Sequence, residues 1–346
     1  MLETDARLAL IQDWLTSALH LQVRAVEPAS SDASFRRYFR AFTAGATYIV
    51  MDAPADKEDV RPYLKVTALL EPLGVHVPHV HAQDVARGLL LLEDLGTTPY
   101  LARLAAGDDP EPLYADALAA LVKIQVGGAQ ASAALAPYGR AELTREMALM
   151  PEWFLARHLA LTLTSAEARL LEATFEFLTR EALAQPAVFV HRDYHARNLM
   201  LLPHANPGVI DFQDALRGPV GYDLVSLLKD CYIAWPRARV VGWVHAYREQ
   251  LAAAGGPVGA DAPQFLRWFD LIGVQRHVKV LGIFCRLWYR DGKCGYLHDL
   301  PRTLAYVRES CALYPELASF GQFLEARVVP QLAGVLAPRA SAGADS

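Results

Sequence analysis

The residues best suited to chemistry form one short run: His191-Arg192-Asp193-Tyr194-His195-Ala196-Arg197-Asn198, then Ile210-Asp211-Phe212-Gln213-Asp214. Asn198 and Asp211 offer hard oxygen atoms, the kind that hold Mg²⁺ alongside waters and phosphates. Asp193 is a further carboxylate, left free of the metal, that can accept or orient the proton of an attacking hydroxyl. A positioned nucleophile and a metal that neutralises phosphate charge are the parts that phosphoryl transfer needs. An isolated D-x-x-x-x-N carries little weight, because Asp and Asn also cap helices and make turns. Here His, Asp and Asn come in order, and a strand pair turning at Asn206-Pro207-Gly208 follows and ends at Asp211-Phe212.

Those residues need elements to bring them together. VFVH, NLMLL and GVIDF read as short strands, so a hairpin folds Asn198 and Asp211 back towards Asp193. Upstream, residues 5–19 place Leu8, Ile11, Leu15 and Leu19 on one helical face. FRRYFRAF and TYIVM are aromatic and β-branched around Ala44-Gly45, which predicts a hairpin. Residues 57–71 read as a helix with Pro62 as a break. VHVPHVHAQD and GLLLLED read as two more strands. From Gly96 onward helical patterns dominate: TREMALMPEWFLARHL, SAEARLLEATFEFLTREAL capped at Ser165, then roughly 222–233, 239–253, 263–290 and 301–335. The expected class is α+β, bilobal, with a small β-rich lobe over 1–95 and a larger helical lobe over 96–334. The site is expected in the cleft between them, and residues 335–346 read as a disordered tail.

Composition narrows the classes. With 53% hydrophobic residues the chain can bury a sizeable core, and a formal net charge of −5 argues against a general nucleic-acid surface. No apolar run is long enough to span a membrane, and the N-terminal residues lack the basic and apolar regions of a signal peptide. Cys231, Cys285, Cys294 and Cys311 show no CxxC spacing and read as reduced thiols, which fits a cytoplasmic protein without membrane or nucleic-acid partners.

HRDxxxxN followed by a strand and IDF resembles the catalytic and metal loops of the protein-kinase-like superfamily. The form HRDYHARN…IDFQDA resembles its aminoglycoside phosphotransferase and choline kinase branch. The resemblance implies ATP and Mg²⁺ as cofactors, Asp193 as catalytic base, and Asn198 and Asp211 as metal ligands. It implies a contact with the transferred phosphate for His195, and a packing role for His191. The family covers the phosphates with a loop between its first two strands. Here that place holds Ser30 to Arg37 without a glycine, and Ser31, Ser34, Phe35 and Arg36 are the expected nucleotide-side residues. Glu93, Asp94 and Leu95 occupy the place of the hinge that holds adenine through its backbone. One departure stands out: Met51 or Asp52 occupies the place of the lysine that pairs with ATP phosphates. Lys57, Lys65 or an arginine of the loop are the alternatives for that role.

Three further segments, SSDASFRRYFR with YIVMDAP, IDFQDALRGPVGYDLVSLLKDCYIAWP and QRHVKVLGIFCRLWYRDGKCGYLHDLPRTLAYV, are similar to the bacterial anomeric sugar kinases of cell-wall recycling. Those phosphorylate N-acetylmuramate and N-acetylglucosamine at C1, and they share the MDAP pattern. Cations also exceed anions between 262 and 330, which suits a neutral or acidic sugar better than a polycation. Arg286, Tyr289, Arg290, Asp291 and Lys293, in the aromatic-rich WYRDGKCGYLHD and just before it, are the expected substrate contacts. A kinase of another small alcohol, of the aminoglycoside, choline or homoserine type, is the competing enzyme reading. A nucleotide-binding pseudokinase is the competing non-enzymatic one.

Overall fold

The computed structural model describes residues 6–31 and 36–336, and its contacts gather the chain into two compact units. The first lies within Met1–Ala131 and His191–Ala215, the second within Ser132–Val190 and Leu216–Ser346. This division differs from the one expected at residue 95. The reason is bonding: Leu101 N–H donates to the Ala196 carbonyl, Leu201 N–H to that of Thr98, and the Tyr194 hydroxyl to that of Ala117. These bonds tie residues 98–122 to the loops after His191.

The first unit is built on a five-stranded antiparallel sheet of order β1-β2-β3-β5-β4. Its strands are β1 (Val23–Ser31), β2 (Arg37–Thr43), β3 (Thr47–Asp52), β4 (Val80–Asp84) and β5 (Leu89–Glu93). The expected β2–β3 hairpin forms, and Thr43 bonds Ala46 through both its backbone and its hydroxyl. Helix α1 (Ala6–Asp13), with the turn Trp14–Ala18 after it, lays Ile11, Trp14 and Leu15 on Phe39, Ala41, Val50, Leu89 and Leu91. Strand residues two apart share a face, so this covers one side of the sheet. Gly88, at φ 70°, lets β5 start against the end of β3; a Cβ there would lie 1.8 Å from the Ala53 carbonyl oxygen. Helix α2 (Arg61–Leu70) carries Pro62 in its first turn rather than breaking there, because proline in a first turn gives up no hydrogen bond. Helices α3 (Tyr100–Ala105) and α4 (Pro110–Val122) complete the support of the loops.

The second unit is mainly helical: α5 (Arg140–Met147), α6 (Ser165–Leu183), α7 (Tyr222–Leu228), α8 (Arg237–Ala253), α9 (Ala262–Asp291) and α10 (Leu300–Leu313). Thr164, not Ser165, caps α6, through a capping box with Glu167. Strands β6 (Ala187–Val190) and β9 (Leu216–Pro219) pair with each other, and the run that starts at His191 leaves from the end of β6. Val335 and Leu336 still belong to the helix Val329–Leu336, while the rest of the expected tail lies outside the described residues. Among the described residues no helix is long and apolar enough to cross a membrane. None of the four cysteines forms a disulfide, and Cys231, Cys285 and Cys311 are buried.

Candidate active site

The hairpin of β7 (Leu199–Met200) and β8 (Gly208–Val209) returns the chain to the place it left. Asn206 shapes its turn. Its side-chain oxygen accepts from Leu202 N–H, and its amide nitrogen donates to the Tyr100 hydroxyl at 2.6 Å and the Asp116 carboxylate at 2.8 Å. Ile210 N–H then donates to the Asn198 carbonyl, so Asp211 follows directly beside Asn198. The Asn198 amide nitrogen lies 3.3 Å from Asp211 Oδ2 and 3.0 Å from the Asp193 carbonyl oxygen. One side chain thus joins all three expected residues.

His191 clamps the two loops from behind and is fully buried. Its Nδ1 accepts from Asp193 N–H at 3.2 Å, so the hydrogen sits on Nε2, which donates to the Ile210 carbonyl at 3.0 Å. Each bond falls on or next to a chemical residue: Asp193 itself, and the neighbour of Asp211. The packing role expected of His191 therefore has a specific form. Asp211 takes a φ of 64° and Arg192 one of 79°, both uncommon outside glycine. Asp211 is held in that conformation from both sides: Gln213 Nε2 donates to its Oδ1 at 2.8 Å, and buried Phe212 packs on Tyr63 of α2 with ring centroids 4.7 Å apart. The roles of Gln213 and Tyr63, and the side-chain bonds of the turn residue Asn206, escaped the sequence reading because each acts on the backbone or on a neighbouring side chain.

The donor set suits a small hard cation. Two side chains supply oxygen, and the Asn198 NH₂ is committed to Asp193, which turns its Oδ1 into the remaining acceptor. Among the described residues no group of three or more His, Cys, Asp or Glu side chains offers a closed metal cage. A site with two protein oxygens and room for waters and phosphates is the arrangement Mg²⁺ favours.

The nucleotide-side residues separate. Ser34 and Phe35, with the Ser31 side chain, lie outside the described residues. Arg36 faces Asp211, its Nη2 3.9 Å from Asp211 Oδ1 and its Nε 3.7 Å from Glu58 Oε1. Glu93 takes His76 Nε2 at 3.0 Å and His79 N–H, and Asp94 is held by a bidentate Arg40 and by Gly96 N–H. Burial alone would raise the Asp94 carboxyl, but the bonds from Arg40 and its neighbours outweigh it and hold it below the usual carboxylate range. Leu95 is buried. The side chains at the expected hinge therefore fix the segment in place.

The sequence profile described as "Phosphotransferase enzyme family" matches residues 25–269, which include all but the first two residues of the sheet and the whole run from His191 to Asp214. The chain belongs to this family. Among curated proteins it is 47% identical over 334 residues to a protein of Pseudomonas putida named N-acetylmuramate/N-acetylglucosamine kinase, covering 94% of this chain and 97% of that one. A Pseudomonas aeruginosa protein of the same name is 46% identical, with 92% and 96% covered. Among solved structures, choline kinase LicA from Streptococcus pneumoniae matches with a TM-score of 0.63 at 15% identity, covering 89% of this chain and all of LicA. At that identity the likeness is one of fold, and the protein-kinase-like fold expected from the motif is the fold of this phosphotransferase.

The expected substrate residues of this phosphotransferase lie at the end of α9 in the second unit, and they do not behave alike. Arg290 forms a two-pronged pair with Asp291, at 2.8 and 2.9 Å, which raises the one and lowers the other. The basic excess is also largely neutralised. Arg267 pairs with Glu181 and Glu316, Lys279 with Glu146, Arg302 with Asp299, Arg308 with Glu325, and Arg327 with Glu167. Arg286 differs. Its buried Nε has no hydrogen-bond partner among the described residues, and burial is the main cause lowering its pKa. Tyr289, three residues on, meets His158 Nδ1 at 3.3 Å and lies under the Arg157 guanidinium. Lys293 precedes the short helical turn Cys294–Asp299.

Proposed function

We propose that this phosphotransferase is an ATP-dependent sugar kinase acting on the anomeric C1 hydroxyl of N-acetylmuramate and N-acetylglucosamine, in the cytoplasm, as part of peptidoglycan recycling. The observation that carries the substrate is the near-half identity, over almost the whole of both chains, to kinases named for these two sugars.

The chemistry follows from the site. Asp193 accepts or orients the proton of the C1 hydroxyl while that oxygen forms its bond to the terminal phosphorus and the bond to ADP breaks in line. Asn198 Oδ1 and the Asp211 carboxylate would hold Mg²⁺, which when bound neutralises phosphate charge. His195, two residues from Asp193, is assigned to the transferred phosphate. Glu93, Asp94 and Leu95 would present backbone groups to adenine while Arg40, His76 and His79 hold the segment. Arg286 is assigned to the lactyl carboxylate of N-acetylmuramate, with Tyr289 offering a ring face to the sugar. The protein contributes mainly position and charge, since little covalent chemistry is asked of it.

ADP release measured over a panel of N-acetylmuramate, N-acetylglucosamine, choline, homoserine and kanamycin tests the reading. Turnover of the two amino sugars is the expected result. Turnover of choline, homoserine or kanamycin with neither amino sugar consumed would overturn it.

A further inference from the structure

The strand that crosses the middle of the sheet, β3, carries no cation, and its one charged side chain is aimed away from chemistry. Asp52 is fully buried and receives Arg7, from α1, and Arg37, whose Nη2 lies 2.7 Å away. It shares the face of Val50 that α1 covers, so Met51 is the residue β3 turns to the opposite face. Phosphates bound near Asn198 and Asp211 therefore need a cation from elsewhere.

Arg36 stands immediately before β2 and is directed at Asp211, with only 13% of its side chain exposed. Its distances to Asp211 and Glu58, 3.9 and 3.7 Å, are ion-pair distances rather than hydrogen bonds. Glu58 is itself fixed, its N–H donating to the Pro54 carbonyl in the turn after β3. A guanidinium and a divalent cation drawn to one carboxylate oxygen repel each other, so both cannot keep it. The planar guanidinium fork matches phosphate oxygens better than it matches a carboxylate at this distance.

We infer that Arg36 is the phosphate-binding cation of the site, steered by Glu58, and that it competes with the metal for Asp211. When metal and nucleotide bind, Asp211 passes to the metal and Arg36 passes to the phosphates. The inference rests on the kinase reading of Asp211 and adds to it a residue pair: Arg36, with opposite effects on the two ligands, and Glu58, which favours both.

The test uses the full chain and binding as well as turnover. Mn²⁺ alone, without nucleotide, is titrated by electron spin resonance, and Mg²⁺-ADP by calorimetry. Arg36→Met should bind Mn²⁺ about tenfold more tightly, because a competing charge is gone. It should bind Mg²⁺-ADP roughly 10- to 100-fold more weakly, because a charge-assisted bond to phosphate is lost. Glu58→Gln should weaken both, since the pull of Glu58 on Arg36 against that of Asp211 is then gone, and Arg36→Lys should recover part of the nucleotide affinity. Mn²⁺ affinity that is unchanged or weaker in Arg36→Met would overturn the inference, as would undiminished Mg²⁺-ADP affinity. Should Arg36→Met not fold, wild-type affinities for both ligands in Glu58→Gln and Arg36→Lys would overturn it equally. Absence of sugar turnover in the wild type would instead count against the kinase reading, and the two titrations would still judge Arg36.

Discussion

Replacing His191 by alanine removes the clamp between the two loops of the site. The cost can be worked from the two bonds it makes. Asp193 N–H and the Ile210 carbonyl, bonded at 3.2 and 3.0 Å, would both lose their partner at a fully buried side chain. Each unsatisfied backbone group costs about 1–3 kcal/mol. The lost imidazole also vacates its edge contact with Tyr194, at 5.7 Å between ring centroids. Together these predict a loss of about 3–5 kcal/mol, a large share of the roughly 5–15 kcal/mol that holds a domain folded. Urea unfolding at neutral pH measures it. His191→Asn, which can keep one of the two bonds, should lose about half as much. The folded fraction of His191→Ala should also turn over more slowly, because Asp193 and Asp211 are no longer tied to one another's loops. A loss below about 1 kcal/mol, or an unchanged kcat in the folded fraction, would refute the clamp.

Four further outcomes are expected. Asp193→Ala should abolish transfer yet leave Mg²⁺-nucleotide affinity near wild type, whereas Asp211→Ala should weaken that affinity; equal loss in both titrations would show the roles wrongly divided. Gly88→Ala places a Cβ 1.8 Å from the Ala53 carbonyl at φ 70° and should lower stability by about 3 kcal/mol or more; a smaller change in thermal unfolding would count against the close approach. Asp94 has its folded pKa below the ordinary 3.8, so the stability from its Arg40 pair is complete above that value and is lost as pH falls through the lower folded value. The stability gap between wild type and Asp94→Asn should thus hold steady from about pH 8 to 5 and narrow below about pH 4; a gap independent of pH would contradict it. Arg286→Met should lower kcat/KM for N-acetylmuramate about tenfold relative to N-acetylglucosamine, and equal effects on both sugars would remove Arg286 from the carboxylate.

The approach of Asp193, Asn198 and Asp211 to one another was legible because it is local: they stand on one loop and one hairpin, and the turn residues between them announce the return of the chain. The β2–β3 hairpin and the long α9 were legible for the same reason, through period and turn chemistry. What sequence reasoning missed lies in contacts between distant residues. Asp52 could not be read as a buried anion, because its partners Arg7 and Arg37 lie 45 and 15 positions away. The basic excess after residue 262 read as suiting a neutral or acidic sugar, yet Arg267, Lys279, Arg308 and Arg327 each find a carboxylate on another helix. Pro62 looked like a break because its position within the helix decides its effect, and the helix start was off by a few residues. Arg36 was one arginine of several until Asp211 and Glu58 gave it a direction.

The proposed reaction is transfer of the terminal phosphate of ATP to the anomeric oxygen of an N-acetylated amino sugar. Phosphorus NMR of the product from Mg²⁺-ATP and N-acetylmuramate, with N-acetylglucosamine run beside it, tests that reaction most directly. A sugar 1-phosphate is expected, its phosphorus coupled to the anomeric proton and released by mild acid, and none with Asp193→Ala. A 6-phosphate, or ADP formation without any sugar phosphate, would contradict it.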